Sequence, residues 1–307
     1  MKTAILFAGQ GSQKPGMGRD FYEKYKGFRE IFDMLPQAQR HIAFEGPAEE
    51  LSDTVNTQPV MTAFALGVYR LLKDAGLRPA AAAGLSLGEY SALCASGVFT
   101  EKQAIDLVTF RAKAMAEAAR GVDCRMTAIL GLDRDAVADC CRAAVTKGCV
   151  EIANFNCPGQ IVIAGEGPAV DMAGELAAAK GAKRCLPLKV SGPFHTTFMK
   201  PAGEKLKERF GGETFGEMRF PVYFNCVGRP LQAGETAADM LVKQVSNSVY
   251  FEDTIRNMAA AGIDTAIEIG PGKALSGFVR KTAGSIKTMT IDTTGDFENV
   301  LAAMRGE

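Results

Sequence analysis

The chain has 307 residues, 47% hydrophobic and 23% charged, a composition able to bury a sizeable core and a length beyond one average domain. Its 35 basic and 35 acidic residues cancel to zero formal net charge, which argues against a nucleic-acid binder. Eight cysteines show no C-x-x-C, and the two histidines, His41 and His195, have no partner at ligand spacing, so reduced thiols and no metal centre are expected.

The run Thr3 to Ala8 is too short for a signal-peptide core and reads as a buried strand. No apolar stretch approaches a membrane span, so a cytoplasmic chain that engages no membrane is expected. Gly9-Gln10-Gly11-Ser12-Gln13 then turns sharply, with neither the third glycine of G-x-G-x-x-G nor the Lys-Ser/Thr of a P-loop. A loop leaving a central strand there can hold the Gln10 backbone N–H near an active serine, or simply expose a glutamine. His41 lies among polar residues and reads as a surface group. Gln58-Pro59 introduces a helix over 60–75 that stops at Gly76.

A short strand over 80–83 feeds Gly84-Leu85-Ser86-Leu87-Gly88. Between a strand and a helix this G-x-S-x-G is a nucleophile elbow, with Ser86 on the turn and helix N–H groups facing a developing oxyanion. The plain alternative is a tight turn. Thr100 caps a helix over 101–120, with Gln103 placed for a capping box. On that helix Arg111 adjoins an apolar stripe, where it either snorkels to solvent or is held by an anion.

From 125 to 190 the pattern is strand 126–130, helix 134–145, strands 150–154 and 160–164, helix 168–180 and strand 185–190. That βαββαβ order is ferredoxin-like and reads as a small subdomain inserted into a large α/β unit, 1–124 and 191–307. Asn154 to Gly159 is a turn by composition, which Asn154 and Asn156 could cap. His195 follows Pro193 and Phe194 at a strand end, where α/β proteins place ligands. If Ser86 needs an imidazole base, elimination favours His195 over His41. A helix over 201–210, a strand at 222–225 and helices across 237–262 follow. Strand 265–269 ends in Gly270-Pro271-Gly272-Lys273, a tight turn that is no Walker A, because Ile267 and Ala274 occupy its glycine and Ser/Thr positions.

The joint order of the Gln10 loop, Gly84 to Glu89, Arg111 with Met115, Asn156, Gly192-Pro193-Phe194-His195, Gln244 and Gly270-Pro271-Gly272 resembles the malonyl-CoA:acyl carrier protein transacylase family over essentially the whole chain. The resemblance implies an α/β-hydrolase-like core with a parallel sheet plus the ferredoxin-like insertion. It implies Ser86 as acyl-accepting nucleophile, His195 as base, the Gln244 carbonyl orienting the imidazole, and the N–H groups of Gln10 and Leu87 as oxyanion hole. Arg111 would grip the malonyl carboxylate with two parallel hydrogen bonds, and Met115, Asn156 and Phe194 would line the substrate.

Malonyl would pass from coenzyme A to the phosphopantetheine thiol of acyl carrier protein by a ping-pong route, with no cofactor of the enzyme's own and with a monomer expected. Phe194 would disfavour methylmalonyl, and Lys183, Arg184, Lys189, Lys200, Lys205, Lys207 and Arg209 could form a basic rim for an acidic carrier. Fatty acid synthesis is the expected setting. Polyketide synthesis and a serine thioesterase or esterase on the same core are the alternatives. Two departures stand out: Ala8 where the family usually has Pro, and Leu85 where it usually has His before the nucleophile.

Overall fold

The computed structural model describes residues 2–306, so Met1 and Glu307, the ends of the expected large subdomain, lie outside the described residues. Its strands are β1 (Thr3–Phe7), β2 (Ala81–Gly84), β3 (Cys124–Leu130), β4 (Val150–Cys157), β5 (Gln160–Glu166), β6 (Arg184–Pro187), β7 (Val222–Tyr223), β8 (Val249–Tyr250), β9 (Thr265–Ile269) and β10 (Lys287–Ile291). The chain forms two compact units.

The first unit, 2–112, 214–223 and 257–306, is built on an all-parallel sheet of order β10-β9-β1-β2-β7. β1, β2 and β9 are buried along their whole length, as expected of parallel strands covered on both faces. Phe7 lies level with both Gly84 and Ile269, so the Gln10 loop, the Ser86 turn and the Gly270 turn leave one edge of the sheet together.

The helix predicted from Val60 starts instead at Thr54 and runs to Asp74, with Asp53 capping the Val55 N–H. Pro59 therefore sits inside it. The carbonyl that its missing N–H would have served, that of Val55, accepts a hydrogen bond from Gln39 Nε2 at 3.3 Å. Thr100 caps the helix Glu101–Ala118 at Gln103 N, while the Gln103 side chain donates to the Thr214 carbonyl.

The second unit, 113–213 and 224–256, holds a sheet of order β6-β3-β5-β4-β8. Its first four strands are antiparallel and have the ferredoxin-like order, with β8 added parallel to β4. Helices Arg134–Ala144 and Gly167–Ala179 cover one face, burying Val137, Cys141, Val170 and Ala173 against Ile129, Ile161 and Ile163. This unit is wider than the 125–190 insertion, because β8 ties the 224–256 segment to β4 through Asn154 and Phe155.

Three local expectations need correction. Asn154 and Asn156 lie in β4, not in a turn: Asn154 pairs with Val162, the register shifts fall at Ala153 and at Asn156, the strand continues to Cys157, and Pro158-Gly159 alone make the hairpin turn. β6 ends at Pro187, with the Leu188 N–H closing the last bond to the Met126 carbonyl at 2.9 Å, so His195 follows a stretch without regular structure and not a strand end. The segment read as continuous helix is interrupted: helix Ala237–Gln244 and helix Phe251–Ala260 flank β8. Among the described residues no helix is long and apolar enough to cross a membrane.

Candidate active site

In the first unit, Ser86 sits between β2 and the helix Gly88–Ser96 with φ +52°, a left-handed conformation costly for a residue with a Cβ. The two glycines of the motif are there for contact, not flexibility. A Cβ on Gly84 would lie 1.9 Å from the Gly88 carbonyl carbon, and one on Gly88 would lie 2.2 Å from the Phe7 carbonyl oxygen. Strand, turn and helix thus interlock backbone to backbone. Gly9 does the same for the neighbouring loop, since a Cβ there would meet the Leu85 oxygen at 2.6 Å. The Gln10 loop is thereby held against the elbow, and Gln10 Nε2 anchors it by donating to Thr54 Oγ1 at 3.0 Å. Leu87, in helical conformation, opens that helix, and the N–H groups of Gly88, Glu89 and Tyr90 donate back to the Leu85, Ser86 and Leu87 carbonyls at 3.0 to 3.1 Å.

Arg111 does not snorkel. It is 1% exposed, its Nη2 donates to Ser86 Oγ at 3.1 Å, its Nη1 to Gln58 Oε1 at 2.9 Å, and its guanidinium lies 5.6 Å from the Tyr90 ring centre. Burial pulls its pKa below the ordinary arginine value, and Tyr90 and Glu89 act against that shift. A guanidinium still carries its charge under these conditions. A buried cation touching the elbow hydroxyl through a five-donor fork is suited to a carboxylate delivered there. Gln58 and Thr54 were not singled out from sequence. Both lie in the polar opening of a helix whose middle, Val60 to Tyr69, is apolar except for Thr62.

In the second unit, His195 is buried and has φ +62°. Among the described residues, only it and Ser86 combine a side chain with this conformation. The His195 N–H donates to the Val245 carbonyl at 3.1 Å, and Thr196 Oγ1 donates to the Pro193 carbonyl, closing the loop on itself. The ring Nδ1 is 2.8 Å from the Gln244 carbonyl oxygen. A carbonyl only accepts, so Nδ1 carries the proton and Nε2 presents its lone pair. Gln244 ends the helix Ala237–Gln244, where carbonyls have no intrahelical donor and the helix dipole favours a nearby positive charge.

Met115, Phe194 and Asn156 are all buried in this unit, and Asn156 Oδ1 has no protein hydrogen-bond partner. A Cβ on Gly192 would lie 2.7 Å from the Phe194 ring, so the loop is packed tightly around that side chain. Of the basic residues in the expected rim, Lys205 is paired with Glu117, and Arg209 with Glu213. His41 is exposed.

A left-handed serine at a strand-to-helix turn, beside a buried arginine, on an α/β core with a ferredoxin-like sheet, describes an acyl transferase, and the acyl transferase domain family matches residues 5–298. A malonyl CoA-acyl carrier protein transacylase of Bacillus subtilis is 40% identical over 311 residues, covering 100% of this chain and 98% of that protein. The crystal structure of MCAT from Streptococcus pneumoniae superposes with a TM-score of 0.92 at 42% identity, covering 98% of this chain and 100% of that one. A type II PKS acyl-carrier protein in complex with its malonyl-transacylase matches with a TM-score of 0.95 at 37% identity, covering 99% and 100%. The chain belongs to the malonyl-CoA:acyl carrier protein transacylase family.

Proposed function

We propose that this protein moves a malonyl group from malonyl-CoA to the phosphopantetheine thiol of an acyl carrier protein, through an ester on Ser86. The observation that carries the reading is the buried Arg111 guanidinium bonded to the Ser86 hydroxyl. An acyl group taken up by that oxygen meets a fixed cation, which a free carboxylate answers and an acetyl group does not.

Ser86 Oγ attacks the thioester carbonyl and gives its proton to His195 Nε2, while the N–H groups of Gln10 and Leu87 receive the oxyanion. Collapse expels the coenzyme A thiolate, which takes the proton back from His195. The pantetheine thiol then attacks the ester with His195 again accepting the proton, and Ser86 is regenerated. The Gln244 carbonyl holds the imidazole in the tautomer both steps need. Asn156 and Met115 contact the acyl group, and Phe194 crowds its α-carbon and so favours malonyl over methylmalonyl. The chemistry requires no metal and no prosthetic group on the enzyme, and one chain carries every residue named. We place the protein in the cytoplasm, supplying fatty acid synthesis; a polyketide carrier would use the same steps.

The test is to mix the protein with malonyl-CoA, locate the modified peptide by mass spectrometry, then add holo carrier protein and follow the label. A malonyl ester on Ser86 that moves to the carrier thiol is expected, and Ser86→Ala should abolish it. Release as free malonate would make the protein a hydrolase, and absence of any adduct would overturn the reading.

A further inference from the structure

At the opposite end of the elbow helix from Ser86, within the first unit, two adjoining cavities of about 220 and 390 Å³ share Tyr69, Lys73 and Arg219. The larger is lined further by Leu77, Pro79 and Phe220 and by a third cation, Arg78. Among the described residues, Lys73, Arg78 and Arg219 make no ion pair. Of the carboxylates nearby, Asp74 and Glu101 lie 3.8 and 3.7 Å from the single Arg70 guanidinium, and Glu101 also lines the smaller cavity, so one of the two negative charges is unmatched.

Part of this charge has a structural use. Two helices end here, Thr54–Asp74 and Gly88–Ser96. Arg78 Nη1 donates to the Lys73 and Leu77 carbonyls, and Arg219 donates to those of Ala95 and Ser96. Each helix C-terminus, however, presents only about half a negative charge. Three cations against about one unit of helix-end charge and one unmatched carboxylate leave roughly one positive charge beside an apolar lining. Neither a plain apolar cavity nor a plain helix cap accounts for that combination.

We propose that this cavity is a second binding site, distinct from the Ser86 elbow, for a medium-chain organic carboxylate: the carboxylate on Arg219, Lys73 and Arg78, the chain on Tyr69, Leu77, Pro79 and Phe220. Arg219 is the residue through which occupancy reaches the elbow helix, because its guanidinium already holds that helix's last carbonyls.

The probe is octanoate, titrated by calorimetry into the full-length Arg111→Ala protein, so that the active-site cation contributes nothing to the signal. One saturable site is expected, weakening with added salt. Affinity should fall about tenfold in a background also carrying Lys73→Met, an exposed substitution that removes no hydrogen bond, and at least as far with Arg219→Gln. Octan-1-ol and inorganic phosphate should each bind far more weakly than octanoate. Equal binding of either would reduce the site to apolar surface or to charge alone and overturn the proposal, as would octanoate binding indifferent to Lys73→Met or absent altogether. The result is independent of malonyl transfer, which Lys73→Met should leave intact in a chain retaining Arg111.

Discussion

Ser86 and His195 share a backbone conformation that the other non-glycine residues described here avoid, yet the chain imposes it on them by different means. Around Ser86 the constraint is steric: Gly84, Gly88 and Gly9 bring three backbone segments closer than any Cβ would permit. Around His195 the constraint is polar: a loop without regular structure is tied by its own N–H to Val245 and by its ring to Gln244. The nucleophile is set by shape, the base by hydrogen bonds. A constraint of the first kind fails all at once when volume is added, and one of the second kind loosens by degrees.

The sharpest way to break this contrast is Gly84→Ala. Its methyl would meet backbone that cannot move without unpacking β2 from the elbow helix, so stability should drop by more than about 3 kcal/mol, read by thermal or urea denaturation. A melting curve like that of the unmodified protein would show that the glycine is not there for contact. Next, His195→Ala should leave a folded protein whose rate of Ser86 acylation, measured by rapid quench, is lower by about 10² to 10⁴. Arg111→Lys keeps the charge and loses the fork, and preference for malonyl over acetyl donors should fall by about 10- to 100-fold in competition assays. The smallest effect addresses the shared strain itself: at each of the two positions the glycine variant should be more stable than the alanine variant by about 1 kcal/mol. Equal stabilities at either residue would mean that its neighbours relax the strain.

Much of the first unit's machinery was legible because its signals are local. Five residues in a row specify the elbow, and the strand-turn-helix context that gives them meaning is read from their immediate neighbours. The βαββαβ order was legible for the same reason, since alternating periodicities name each element. Asn156 was misplaced because composition favoured a turn, whereas cross-strand pairing with β5 carried the strand through it. The start of the helix at Thr54 was obscured by Pro59, whose local cost is offset by a side chain from another helix, Gln39. His195 was found by elimination, but the loop that holds it answers to Val245 and Gln244, about fifty positions later in the sequence, and no window shows that. Gln58, one residue before Pro59, gave no hint of its bond to Arg111.

The atom that orients the histidine ring belongs to the main chain. It is therefore out of reach of a point substitution: replacing Gln244 by any other amino acid leaves a carbonyl oxygen in the same place, provided the helix end keeps its course. Where a carboxylate does this work, one codon change deletes it; here the oxygen is encoded by every codon that specifies an amino acid. Selection can act on it only through the helix that ends there, so comparison of side chains at position 244 understates how much of the base's behaviour depends on it.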